Sequence, residues 1–468
     1  MGYVLDKEIM RKTFSMGENF DAFKHRPAQH IKVFPFPTNN NFTIVTSLSS
    51  VVGEWLRLIR QQESSSESIE TTLEIISQQI DADPEEKAVA IQIIKHLYWD
   101  EKNHIRPNNV EAMCYIPCND PSELKIAHFL CSVLGCHSSL KSIANAAIEK
   151  AATQSNILEQ AVLCALKASI QHPKEAEQYF TVHCAPGKTF AQDLRFILES
   201  ATRTNEYLVD LLEFYYFFYT SQTTLTLARF EHGDRNEIVP LFFSLDWEKT
   251  NKARDCYTRG WQLLAPAIRQ QFYHAITLEI LNQNATNEQL DYISLKEYIE
   301  ANGDVALVAD QIRDVCDLYR NAICKISPAQ ACTELNALVK NEQLGSVFSE
   351  INYLFESVRS QFRNTDRGRV SDGYIKHFES FCHEKFLKSR GSNGLMLNIT
   401  EEFLILLTKL AIKNEEQVSL NEVFRQFELR GVFLDQPSRE EVVLFYTKLN
   451  LIDKKSDSGD AQYVKRIL

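Results

Sequence analysis

The sequence predicts a mainly α protein: a multi-helix body followed by a small C-terminal unit of three helices closed by a β-hairpin. Three observations lead there. Glycine and proline are scarce, at 15 and 13 of 468 residues, which favours long helices over the many tight turns of a sandwich or barrel. Apolar residues recur at i, i+3, i+4 and i+7 through most of the chain. The stretch LNLIDKKSDSGDAQYVKRIL, residues 449–468, abandons that period for a polar turn, Ser456-Asp457-Ser458-Gly459, and an alternating tail through Tyr463, Val464 and Ile467.

The totals limit what the chain can be. Apolar residues make up 44% and charged residues 24%, ordinary values for a globular protein with ample core. The net charge of −12 excludes a molecule that is basic overall, so any nucleic-acid contact has to come from a local patch. No apolar run reaches the length of a membrane span. The start, MGYVLDKEIMRKTF, mixes acids into what would be the apolar region of a signal peptide. Eleven cysteines spread over a long chain read as reduced thiols rather than a disulfide framework. A cytoplasmic protein without a membrane segment is the expectation.

Taken in order, HIKVFPFPTNNNFTIV in residues 1–44 mixes prolines, asparagines and β-formers, which predicts extended segments and a loop. SSVVGEWLRLIRQQ puts Val51, Trp55, Leu58 and Ile59 near one helix face. QQESSSESIE reads as a solvated acidic linker, and Asp83-Pro84 as the start of the next helix. Residues 121–232 read as successive helices. Among them LLEFYYFFYTSQ holds six consecutive aromatics, 214–219, that cover a full helix circumference. A helix apolar on every side is buried on every side, and a base-stacking surface would need interleaved Lys or Arg, so this is a central core helix. EHGDRNEIVPLFFSLDWEKT, residues 231–250, breaks the period, with VPLFFSL as a possible short strand and a soft boundary. DVALVADQIRDVCDLYRNAI and LGSVFSEINYLFESVRSQF then carry clear apolar stripes. These breaks divide the chain into 1–110 (mixed and helical), 111–235 (helical), 236–398 (helical, ending in a basic segment) and 399–468.

The last division is the most legible. A first helix starts at Thr400, a good N-cap, and buries Phe403, Leu406, Leu407 and Leu410. A second starts at the capping box Ser419-Leu-Asn-Glu422, buries Leu420, Val423, Phe424 and Phe427, and stops at Gly431. A third starts at a second capping box, Ser438-Arg-Glu-Glu441, and buries Val442, Phe445, Tyr446 and Leu449. A hairpin with strands at 451–455 and 460–467 follows, with Ile452 and Val464 as the residues sealing the core. Three helices and then a hairpin is the order of a winged helix, with the hairpin as the wing.

Charge is unevenly placed. Residues 359–394 hold eight bases (Arg359, Arg363, Arg367, Arg369, Lys376, Lys385, Lys388, Arg390) against four acids (Asp366, Asp372, Glu379, Glu384). This is a local net of +4 within an acidic chain, either a solvated face or a phosphate-binding surface. A winged helix commonly docks its third helix in the major groove. This one carries 12 acids and 10 bases over 399–468, a poor balance for an autonomous DNA reader, so the neighbouring segment would have to supply the charge. The candidate DNA-contacting residues are Arg363, Arg367, Arg369, Lys388 and Arg390 from the segment, and Arg439, Lys448, Lys454 and Lys455 from the third helix and wing.

Other constellations carry less. Cys114, Cys118, Cys131 and Cys136 beside His137 could supply zinc ligands, but at spacings wider than a C-x2-C knuckle, and unligated thiols are the simpler reading. Ala185-Pro-Gly-Lys188-Thr189 resembles the tail of a phosphate-binding loop, but its first glycine position is Val182. His183 and Cys184 beside it form no marked catalytic pair. No catalytic motif is found, no catalytic or metal residue is assigned, and no cofactor is expected.

HEKFLKSRGSNGLMLNIT, LNEVFRQFELRGVFLD and LNLIDKKSDSGDAQYVKRIL resemble the C-terminal part of the DptG family of DNA phosphorothioation-dependent restriction proteins, most strongly over about 375–468. LLEFYYFFYTSQ is similar to the middle region of that family. The resemblance implies a non-enzymatic subunit of a bacterial defence complex that restricts DNA lacking backbone phosphorothioate, beside an ATPase-like and a helicase-like partner. The alternatives left open are a protein-interaction adaptor without DNA contact, and a nuclease with an unrecognised metal site.

Overall fold

A computed structural model describes residues 3–19, 22–38, 42–62, 69–101, 103–135, 138–167, 176–200, 204–284, 288–327, 329–363, 367–454 and 462–467. The fold is mainly helical, with a few short strands. Among the described residues no helix is long and apolar enough to cross a membrane. The acidic linker at 63–68 and the wing turn at 456–459 lie outside the described residues.

The aromatic helix, Thr204–Leu227, is the axis of the molecule, and every residue from Leu211 to Leu227 is buried. Its rings meet those of other elements in offset or edge-on contacts. Tyr216 lies 4.8 Å from Phe381, Phe217 4.4 Å from Phe386 and Phe214 5.2 Å from Phe403. Such pairs add to the burial of large apolar surfaces. One continuous core draws on residues from Tyr3 to Val464. A smaller core gathers Ile76, Ile94, Tyr98, Val162 and Leu163 from helices Ile69–Gln79, Pro84–Tyr98 and Ile157–Lys167. Neither core follows divisions at 110, 235 or 398.

The N-terminal segment is largely extended, as expected, apart from a short helix Lys7–Thr13. It is held to the body by its own backbone. The Glu279 carboxylate, fully buried, accepts from the amides of Gln29 and His30, and the Tyr3 hydroxyl donates to the Leu281 carbonyl.

The C-terminal unit has the winged-helix order, with three helices at Glu401–Ile412, Leu420–Glu428 and Gln436–Lys448. Thr400 and Ser419 cap the first two, accepting from the amides of Phe403 and Glu422. Three corrections apply. The third helix begins one turn earlier than expected, capped by Asp435, whose carboxylate accepts from the Ser438 amide. Pro437 in the first turn fits this start, and Ser438 is buried inside it. Leu449, expected in the core, is 45% exposed. A strand the sequence reading did not anticipate, Gln417–Ser419, pairs antiparallel with Gln462–Lys465, which pairs in turn with Ile452–Lys454. Val464 is fully buried and faces Ile452 across the ladder.

The break at 231–250 is a clasp rather than a boundary. Leu241–Phe242 runs parallel to Val432–Phe433, between the second and third winged helices. Ser244–Leu245 runs parallel to the strand Leu395–Ile399 that leads into the first. Gly431 takes φ +74 where it ends the second helix, and a Cβ there would fall 2.5 Å from the Phe218 ring of the aromatic helix. Beneath it Arg430 and Asp193, both fully buried, form a bidentate pair at 2.6 and 2.7 Å. Asp193 also accepts from the Tyr215 hydroxyl and the Lys413 ammonium. The winged unit is therefore built into the body.

The cysteines need one correction as well. Cys324 and Cys332 form a disulfide between helices Val305–Ile326 and Ala329–Asn336, contrary to the expectation of reduced thiols.

Candidate nucleic-acid interface

The basic segment folds into the end of helix Ser346–Arg363, helix Gly368–Lys385, and the hairpin of Leu387–Ser389 with Leu395–Ile399. On Gly368–Lys385 the stripe Tyr374, Phe378, Phe381 and Cys382 is buried. The same period turns Asp372, Lys376, Glu379 and His383 to the opposite side. There they face Arg359 and Arg363 of the preceding helix, and Arg269 at the junction of helices Gln262–Ile268 and Gln271–Leu281. Together these line an open groove of about 670 Å³, with Trp261 and Tyr273 in its wall. Packing holds the three walls together: Phe362 lies 4.8 Å from Phe272, which lies 5.3 Å from Tyr374.

Within the groove Arg359 pairs with Glu356 at 2.8 Å. Arg269, Arg363 and Lys376 are exposed, and none of the three makes an ion pair among the described residues. Arg363, a candidate from the sequence, thus lines the groove with its guanidinium exposed. Arg369 is exposed in the first turn of its helix, away from the groove lining. Arg367 is half-buried near His25, whose pKa is pushed down to about 3 by burial and then by the Arg367 charge.

Two candidates from this segment are occupied elsewhere. The Lys388 ammonium donates to the Asp246 carboxylate and carbonyl. The Arg390 guanidinium donates to the carbonyls of Leu245, Asp246 and Glu248, to Ser244 Oγ and to Asn398 Oδ1. Both fasten the 244–248 strand and turn to the hairpin, so a phosphate would have to break those bonds to use them. Lys385 behaves alike, pairing at 2.8 Å with Glu213 of the aromatic helix.

The third winged helix is also partly committed. Trp247 stacks on Phe445 at 5.1 Å and donates through Nε1 to Glu441. Arg254 bridges Asp435 and Glu248, and Ser438 Oγ donates to Glu248. Arg439, expected to face DNA, lies 4.9 Å over the Phe424 ring, pairs with Glu428 and donates to the Leu434 carbonyl. The open face presents Gln436, Glu440, Leu444, Thr447 and Lys448, with Leu444 54% exposed. Lys448 is free of ion pairs among the described residues. Lys454 stands on the wing strand opposite Gln462, and Lys455 lies outside the described residues.

The remaining motifs resolve structurally. Lys188 donates to Asn236 Oδ1, and Thr189 Oγ1 accepts from the Tyr215 hydroxyl, so the loop-like tail is the first turn of helix Ala185–Ser200. His183 is buried, with Nε2 against the Glu237 carbonyl, and burial pushes its pKa down. Burial pushes the Cys114 thiol up, and the Cys118 thiol up to about 12. Cys136 and His137 lie outside the described residues, among which no group of three or more His, Cys, Asp or Glu is placed to hold a metal ion. A larger cleft of about 1350 Å³ is lined by Asp120, Glu123, Glu159, Glu199 and Glu206 against Lys150, a sign of charge unsuited to a polyanion.

Sequence reasoning missed Arg269, which reaches the groove from some ninety residues upstream, and gave no role to Lys376 and His383. The outward period opposite Tyr374, Phe378 and Phe381 was the available signal for those two; Arg269 had none. Compared with protein-family models and with curated proteins, the chain matches none.

Proposed function

We propose that this chain is a non-catalytic helical subunit of a phosphorothioation-dependent DNA restriction complex, acting in the cytoplasm beside an ATPase-like and a helicase-like partner. The observation that carries this reading is the winged helix, complete in its order of helices and paired strands, within the stretch whose sequence resembles the DptG family. The large helical body gives it a rigid mount, and the basic groove beside it offers a place for DNA. The experiment is affinity purification of the tagged full chain from its host, together with deletion of its gene. Co-purification of an ATPase-like and a helicase-like protein, and loss of restriction of DNA lacking phosphorothioate, are expected. A chain that purifies alone, with restriction intact after deletion, overturns the reading.

A second reading, an adaptor that binds protein through the winged helix, is favoured by one observation. The open face of the third helix carries one acid, one base and the exposed Leu444, a composition suited to a protein surface rather than to base edges. Leu444→Asp should then release a partner while leaving the unfolding temperature of the isolated chain unchanged.

A further inference from the structure

We infer that the groove formed by helices Ser346–Arg363 and Gly368–Lys385 and the Arg269 junction binds the sugar–phosphate backbone of a nucleic acid. This deepens the reading above, on which its biological meaning rests, by moving the contact away from the third winged helix. Two consecutive helices and a junction some ninety residues upstream converge their cations on one concavity. Arg269, Arg363 and Lys376 have no anionic partner among the described residues, in a chain whose net charge is −12. Leaving exposed cations unpaired side by side has no stabilising value of its own, whereas the clustered charge attracts a polyanion.

The shape suits a linear polyanion. The lining runs along one helix from Asp372 to His383, about 16 Å at the helical rise of about 1.5 Å per residue. That spans about five phosphates of one strand at about 3.4 Å each along a duplex axis. Guanidinium forks match phosphate oxygens in pairs, and Arg269 and Arg363 supply two that make no ion pair among the described residues, with the Lys376 ammonium as a third cation. Asp372 and Glu379 flank Lys376 on its own helix, so the positive charge is punctuated rather than continuous. A backbone carrying one charge per nucleotide can step across such gaps. Trp261 and Tyr273 are buried behind the groove wall and stiffen it, and the exposed ring there is that of His383.

Three phosphate contacts correspond to a salt slope of about −2.7, or a fall in affinity of about 40-fold between 50 and 200 mM salt. The test is fluorescence anisotropy of the purified full chain with a labelled duplex, a labelled single strand of the same sequence and a labelled polyglutamate peptide, at both salt concentrations. The triple variant R269E/R363E/K376E should lose at least tenfold in affinity for one or both nucleic acids and most of the salt slope. The control K12E/K87E/K95E changes net charge equally on surfaces outside the groove, and should stay within threefold of the parent. The duplex and single-strand arms decide which form the groove prefers. Should the reversals unfold the chain, R363A/K376A replaces them, with thermal unfolding as the check. Equal losses in both variants, no nucleic-acid binding by the parent at 50 mM salt, or binding of polyglutamate in place of nucleic acid would each overturn the inference. None of these outcomes touches the subunit reading, which is decided by co-purification and gene deletion.

Discussion

The two halves of the basic segment use the same residue types for opposite purposes. In residues 385–390, Lys385, Lys388 and Arg390 turn inward and fasten the hairpin to the aromatic helix and to the 244–248 strand and turn. In residues 359–376, Arg363 and Lys376 turn outward into a groove that also holds Asp372 and Glu379, and neither makes an ion pair among the described residues. Sequence charge counts both halves alike. What separates them is the company of main-chain carbonyls and carboxylates from distant segments, which converts a cation from a ligand-binding group into a pin. The winged helix repeats the lesson: Arg430 and Arg439 are pins, while Lys448 is exposed and makes no ion pair among the described residues.

The deepest pin should give the largest effect. Arg430→Ala leaves Asp193 buried without its bidentate partner, and removing one member of a buried pair costs about 3–5 kcal/mol. The expected result is a large drop in unfolding temperature of the full chain. Because this pair anchors the end of the second winged helix to helix Ala185–Ser200, early amide exchange over 400–450 should accompany it. A change below about 1 kcal/mol would mean that the winged unit holds its place without the pin. The next largest loss belongs to Arg390→Ala. Its guanidinium satisfies three carbonyls, and leaving buried acceptors unmet costs about 1–3 kcal/mol. Chemical denaturation should report that loss with unchanged slope, and DNA affinity should be unaffected wherever the protein is folded.

Lys388 is a shallower pin, and its effect should be visible in acid. Its hydrogen bond and charge hold the Asp246 carboxyl below the usual value of 3.8. A carboxyl whose folded pKa is depressed contributes stability that is present above its unfolded pKa and lost as pH falls through the folded value. The pair is substantially exposed, so its whole contribution is about 0–1 kcal/mol. Lys388→Met should therefore lower stability slightly at pH 7 and flatten its decline below pH about 4. An unchanged acid limb would show that Asp246 draws nothing from Lys388.

How much of this was legible in sequence follows from how local each feature is. The aromatic helix announced its burial because six adjacent rings leave a helix no polar face. The caps at Thr400 and Ser419 are local patterns and hold, and so do their apolar stripes except that Phe403 and Leu420, each in a first turn, are half-buried. The third helix deceived because Ser438 and Glu441 fit a capping box while Asp435 and Pro437, one turn earlier, fit a start as well. The choice was made by Glu248 and Arg254, which claim the Ser438 hydroxyl and Asp435. The strand at Gln417–Ser419 is three residues long, too short for alternation to show, and exists because Gln462–Lys465 pairs with it. The groove was half legible. Lys376 and Arg363 lay in the flagged segment, but Arg269 joins them only through the packing of Phe272 on Phe362 and Tyr374.

The smallest expected change carries the sharpest sign. Arg359 and Arg363 stand four apart on one helix and share the groove. Like charges at that spacing destabilise a helix by about 0.2–0.5 kcal/mol. Arg363 also ends its helix, where the dipole favours a cation by about 0.3–1 kcal/mol. The two terms oppose each other, so Arg363→Ala should shift stability by no more than about 0.5 kcal/mol in either direction, as surface substitutions do. High salt should shrink even that, because both terms are exposed and screened. A loss of 2 kcal/mol would make Arg363 another pin and erase the contrast between the two halves of the segment. Near-neutral stability joined to weaker nucleic-acid binding would mark Arg363 as a residue kept for a ligand, since the fold itself gains almost nothing from it.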